Sequence, residues 1–193
     1  IKNMPAGDIN DLLRIHMAEV QLGTYTNTMH LDHKLLNEKE GVKQLMGLKD
    51  HPIALLRLAE YYLGFFGHQV DEKRGLETIA KAAHHDQVSH VAYRVWAEYY
   101  LGLTNGPAYN INRAKELLDL AFQKCDGIQA LEAGVQLRLG EIALGIFENG
   151  EESTSVVDPL SAKNVPLAIK MFETIKPDAD IFLHRIYTGY YGA

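Results

Sequence analysis

The chain has 193 residues, 47% hydrophobic and 23% charged, the balance of an ordinary soluble domain with enough apolar material for a sizeable core. Its 25 acidic and 19 basic residues leave a formal charge of -6, which argues against a nucleic-acid surface, where a basic stripe is expected. No apolar run approaches the ~20 residues that span a bilayer, and the single cysteine, Cys125, excludes an internal disulfide framework and a cysteine-rich zinc site.

Taken in chain order, the predicted elements recur. A first helical stretch ends in AEVQLG, Ala18–Gly23, and a second stripe follows at Val42, Leu45 and Met46. The next helix carries Leu55, Leu58, Ala59, Tyr62, Leu63 and Phe66 at i, i+3, i+4, i+7, i+8 and i+11, one apolar stripe on an α-helix. It runs into AEYYLG at Ala59–Gly64. Leu76, Ile79, Ala80 and Ala83 form the stripe of its successor. Tyr93, Trp96, Ala97, Tyr100 and Leu101 then repeat the earlier pattern and close on a second AEYYLG, Ala97–Gly102. Next come Ala114, Leu117, Leu118, Ala121 and Phe122, and a related string, GEIALG, at Gly140–Gly145. Asn149–Lys163 is polar, contains Pro159 and shows no helical period. Ala168, Met171, Phe172 and Ile175 resume the pattern, and HRIYTG at His184–Gly189 is the weakest copy of the hexapeptide.

The closing glycines, Gly23, Gly64, Gly102, Gly145 and Gly189, lie 41, 38, 43 and 44 residues apart. Glycine tolerates the left-handed conformation that ends many helices, so each marks a helix C-terminus. Asp50 with Pro52, Ser89, Asn112, and Asn164 with Pro166 suit helix starts. The expected organisation is helix A, turn, helix B, four times over, plus a last helix A. In one all-α repeat domain over 1–193 the repeats fall at approximately 8–49, 50–87, 88–126 and 127–176, with a partial repeat at 177–193 and an insertion at 149–163. The unpaired last helix, and a start at Ile1 without a signal-like segment, are expected of a fragment or a processed chain.

Leu58, Ala59, Tyr62, Gly64, Gly67, Asp71 and Arg74, followed by Gly75 where the family usually has Ala, and then Trp96, Ala97, Tyr100, Gly102, Gly106, Asn112, Arg113 and Ala114, resemble the Sel-one-like repeat family, a relative of the tetratricopeptide repeats. Lys81, Ala82 and Ala83 match its helix-B ending. The second and third copies fit best, and the spacing between glycines and Asp departs by a residue or more. The resemblance implies a right-handed superhelical α-solenoid whose A helices line a concave groove used to assemble protein complexes. Bacterial members are often envelope or secreted proteins, and others are cytosolic. By the same resemblance, the column Glu19, Glu60, Glu98, Glu141 and then Arg185 looks into that groove beside Leu22, Leu63, Leu101, Leu144 and Thr188. An acidic line flanked by leucines suits a basic or amphipathic protein segment. Glutamate as a plain helix former on a solvated face is the other explanation.

Tyr61 and Tyr99 sit about 100° round the helix from the stripe residues Tyr62 and Tyr100, so they either pack between repeats or face the groove. With Trp96 they could alternatively act as stacking platforms of a small-ligand or glycan-recognition module. Nine histidines raise a metal or hydrolase possibility at His84, His85 and His90, and at His30 and His33 around Asp32. Neither cluster has a partner at a recognised ligand spacing, and both are expected to be surface histidines. Glu151 and Glu152 lie in the polar insertion, where no fixed carboxyl separation is held. Cys125 is expected to be a structural thiol. The expected function is that of a non-enzymatic protein-binding scaffold with no cofactor or metal, no nucleic-acid partner and no membrane span in this segment.

Overall fold

A computed structural model describes residues 6–24, 35–104, 106–147, 164–175 and 179–187. The described residues are all-helical: α1 (Ala6–Leu22), α2 (Glu38–Met46), α3 (Pro52–Tyr62), α4 (Glu72–Ala83), α5 (Ser89–Tyr100), α6 (Ile111–Lys124), α7 (Gln129–Ala143), α8 (Val165–Thr174) and α9 (Asp180–Tyr187), with a 3-10 turn at Phe65–Gly67 and no strand. Among them no helix is long and apolar enough to cross a membrane. The chain divides into two packing units, Ile1–Val88 with Thr104–Gly106, and Ser89–Leu103 with Pro107–Ala193. In the first unit α1 packs on α2, α2 on α3, and α3 on α4. In the second, α5 packs on α6, α6 on α7, α7 on α8, and α8 on α9. The insertion at 149–163 and the residues Thr188 and Gly189 lie outside the described residues.

Both units use the same turn. Gly23, Gly64, Gly102 and Gly145 all take positive φ, between 72° and 81°, and each donates its N–H to the carbonyl three residues back. The following residue then reaches back to the carbonyl of the column glutamate, Thr24 to Glu19, Leu103 to Glu98 and Ile146 to Glu141. These two bonds satisfy carbonyls that a helix end would otherwise leave bare. The incoming B helix is docked just as regularly. The N–H groups of Asn37, Asp71, Asn110 and Asn164 bond the carbonyls of Gln21, Tyr62, Tyr100 and Ala143, each two residues before its glycine, at 2.9, 2.8, 2.8 and 3.3 Å. The same four side chains cap their helices by accepting from the N–H of Glu40, Arg74, Arg113 and Leu167.

This corrects two of the expected starts. Asn110, and not Asn112, caps α6, because only Asn110 is in register with the carbonyl of Tyr100. His51 flanks α3 with extended backbone and no side-chain cap bond, so Asp50 lies one residue too early. Ser89 is the first residue of α5, and Asn164 caps α8 as expected.

Small residues let the two helices of each hairpin meet. Ala18, Ala59 and Ala97 are fully buried, and Gly140 at the equivalent position is buried too. Opposite them, four residues after each cap, stand Gly41, Gly75, Ala114 and Ala168, all buried. A β-carbon on Gly75 would lie 2.5 Å from the Leu63 side chain, and one on Gly140 would lie 2.3 Å from the Phe172 ring. Leu55, Leu58, Leu63, Ile79 and Ala83 are buried in the first unit, and Ala97, Leu101, Leu117, Leu118, Ala121 and Phe172 in the second, as their spacing predicts. Met46 and Phe122 depart from that pattern, at 55% and 40% exposed. Each stands at the edge of its stripe and opens onto a cleft described below.

Candidate functional site

The glutamate column is covered. Glu19, Glu60, Glu98 and Glu141 are 6–7% exposed, and their carboxylates are held from inside the fold. Arg57 on α3 reaches Glu19 on α1 at 2.5 Å and Glu60 on its own helix at 2.8 Å. Arg138 on α7 repeats this in the second unit, 3.0 Å from Glu98 on α5 and 2.7 Å from Glu141. His16 contacts Glu19 at 2.8 Å, and Arg94 stands 3.7 Å from Glu98. Burial pulls the Arg57 and Arg138 guanidinium pKa values down, but the flanking carboxylates outweigh it and hold both above the ordinary arginine value. Each unit therefore contains one arginine clasped by two buried carboxylates, tying consecutive A helices together.

These contacts change the expected site. An open acidic line needs exposed carboxylates, and here desolvation is offset by bonds within the fold. Leu63 and Leu101 do not line an open groove either, being 0% and 1% exposed; Leu63 packs toward the small residue Gly75 on the adjoining B helix. Leu22 and Leu144 are buried in the same column position. Tyr99 is completely buried and meets Tyr100 edge-on, 5.5 Å between ring centres. Tyr61 is half-buried; its ring packs against Tyr62 and His68, and its hydroxyl donates to Glu38. Burial and then that carboxylate push the Tyr61 pKa up to about 12. Trp96 is partly buried against the core, and the Arg113 guanidinium lies over its ring at 5.8 Å. Tyr99 is thereby removed as a stacking platform. Arg185 is half-buried in the last turn of α9.

His84 is exposed and His85 and His90 are half-buried, while His30 and His33 lie outside the described residues. Among the described residues, no three of His, Cys, Asp or Glu converge as metal ligands. Cys125 is fully buried, and its thiol contacts the Ala121 carbonyl at 3.3 Å. Burial, with a contribution from Glu132, pushes that thiol up, and Arg94 opposes the shift.

The open feature of the second unit lies on its B helices. A cleft of about 870 Å³ runs between α6 and α8, with α7 as its floor, and continues into a second space of about 310 Å³. Asp119, Leu139, Leu167 and Met171 line both spaces. Phe122 and Leu167, at 40% and 37% exposed, are open apolar wall residues, and Tyr109 is exposed at the edge of the larger space. The first unit has a cleft of about 520 Å³ at the equivalent place, between α2 and α4 over α3. Leu58 there occupies the position of Leu139, two residues before the column glutamate. The walls differ, however: Arg74 and Thr78 stand where the second unit has Leu167 and Met171, counting from the caps.

Sequence periodicity missed this cleft, because Phe122 and Met171 read as core stripe. It also missed the clasps, although Arg57 and Arg138 each stand three residues before a column glutamate. That recurring Arg-x-x-Glu was the available signal. Compared with known proteins, the chain matches no family model, no curated protein and no solved structure.

Proposed function

We propose that this chain is a non-enzymatic scaffold, a right-handed superhelical solenoid of Sel-one-like helix–turn–helix repeats that binds a segment of another protein. The observation that carries the proposal is the fourfold recurrence of one turn, glycine at positive φ, docked cap and small-residue crossing, which is how a repeat protein stacks like units on one another. The glutamate column serves the scaffold by fixing one A helix to the next, and partner contact falls to side chains that vary between copies. Tyr61 and Arg185, both half-buried, remain at the surface of that array.

The test uses the full chain. Small-angle scattering reports whether the molecule has the elongated, curved envelope of a solenoid. Calorimetry against a panel of amphipathic peptides, run beside a panel of glycans and small metabolites, reports what it binds. Saturable one-to-one peptide binding is expected. Saturable binding of a glycan or metabolite with none of the peptides overturns the scaffold reading.

A further inference from the structure

The cleft between α6 and α8 differs from its counterpart in the first unit in a way that packing alone does not require. Both have an apolar floor, Leu58 on α3 and Leu139 on α7. In the first unit the walls are closed to an apolar partner by charge, with Arg74, Glu77 and Lys81 on α4 and Lys49 and Asp50 beside Met46. In the second, the α8 wall turns Leu167 and Met171 into the space, one helical turn apart, and the α6 wall adds Phe122. The shared backbone thus acts as an internal control: both clefts mix polar and apolar walls, with Asn112, Lys115, Asp119 and Asn164 in the larger second-unit space and Met46, Leu55 and Tyr62 in the first, and the difference lies in the smaller adjoining space, where Phe122, Leu139, Leu167 and Met171 make an apolar trough. An apolar stripe set between two helices in this way is the shape that receives the apolar face of another helix.

Charge on the rims narrows what that is. Lys115 on the α6 wall and Lys170 on the α8 wall are both exposed and border the trough from opposite sides. Among the described residues neither enters an ion pair, and Asp119 is the acidic residue between them. The α6 wall from Ile111 to Phe122 is about 16 Å long at the helical rise, room for about three turns of a third helix. The walls present helical ridges, Lys115 with Asp119 and Leu167 with Met171, each four residues apart. Such ridges accept the i, i+4 row of another helix.

Resting on the scaffold reading, we propose that the trough between α6 and α8 binds an amphipathic helix of a partner protein. That helix sets an apolar stripe on Leu139, Leu167, Met171 and Phe122, with acidic residues on its flanks facing Lys115 and Lys170. This partner is opposite in charge to the one that an open glutamate column would select. Pairs at exposed rims contribute little affinity but set orientation and choice of partner, while the apolar stripe supplies the binding.

The test titrates the full chain with two synthetic helical peptides of one apolar stripe, one flanked by glutamates and one by lysines, followed by fluorescence anisotropy. The glutamate peptide is expected to bind more tightly, and the preference to shrink at high salt. Leu167→Arg with Met171→Thr copies the first unit's residues onto this wall, so folding should be kept (checked by circular dichroism), and should weaken binding by about tenfold or more. Lys115→Glu with Lys170→Glu should reverse the peptide preference. Equal binding by the Leu167→Arg/Met171→Thr protein, or a wild-type preference for the lysine peptide, overturns the trough proposal and leaves the scaffold reading standing. Absence of binding to either peptide overturns the trough proposal, and the scaffold reading is then decided by the wider peptide panel.

Discussion

Arg138 shows how much one side chain can hold. It lies between Glu98 and Glu141 with only 23% of its side chain exposed, so Arg138→Met leaves two covered carboxylates without their main counter-charge. A hydrogen bond to a charged group contributes about 1.5–3 kcal/mol, and a loss in that range is expected in urea denaturation. Adding Glu98→Gln and Glu141→Gln should recover part of it, because neutral amides remove the repulsion; a triple variant no more stable than Arg138→Met would reject the clasp. Substituting the whole glutamate column by lysine would unfold the chain before it reported on any partner. Gly140 offers a steric counterpart. Gly140→Ala drives a methyl into the Phe172 ring, and overpacking of this kind costs about 1–3 kcal/mol. Ala59→Leu, at a fully buried crossing, belongs in the same range. Unchanged thermal melts in both variants would mean that the crossings are looser than these contacts.

At the scale of the element, the docked cap is the testable part. Asn110→Ala removes a side-chain cap from α6 and should cost about 1 kcal/mol, whereas Asn112→Ala should change stability little. Equal effects in chemical denaturation would return the helix start to Asn112. The helices themselves were legible in the sequence because backbone geometry dictates residue type there. A positive φ at Gly64 and Gly102, and complete burial at Ala59 and Ala97, leave few alternatives, so the hexapeptide recurs almost unchanged. What was not legible obeys no such demand. Glu19 and Arg57, or Glu98 and Arg138, meet across two helices, and periodicity within one helix carries no record of the meeting. The trough was hidden for a related reason: one backbone position accepts Arg74 in one unit and Leu167 in the other, and the outward edge of a stripe looks like its centre until the neighbouring helix is placed.

For the molecule as a whole, one contribution to acid sensitivity comes from His90. Its pKa is lowered from the ordinary 6.5, first by burial and then by Arg94. A base with a depressed folded value is favoured neutral in the native state. Its contribution to stability is therefore full above pH 6.5 and is lost as pH falls through the folded value. Melting temperature is expected to fall on acidification through that window, with a shallower slope in His90→Gln. An identical slope in the variant would assign the acid response to other groups.

The docked cap has one further consequence. The same hydrogen bond closes the connection from Tyr62 to Asp71 and the much longer one from Ala143 to Asn164. Because closure entropy grows only with the logarithm of length, more than doubling a connection costs only about 0.7 kcal/mol. The anchor points, and not the loop between them, fix how helix B arrives. These turns are therefore permissive for grafting: a foreign peptide placed between the closing glycine and the cap should be displayed at a fixed position, with the helices on either side unchanged.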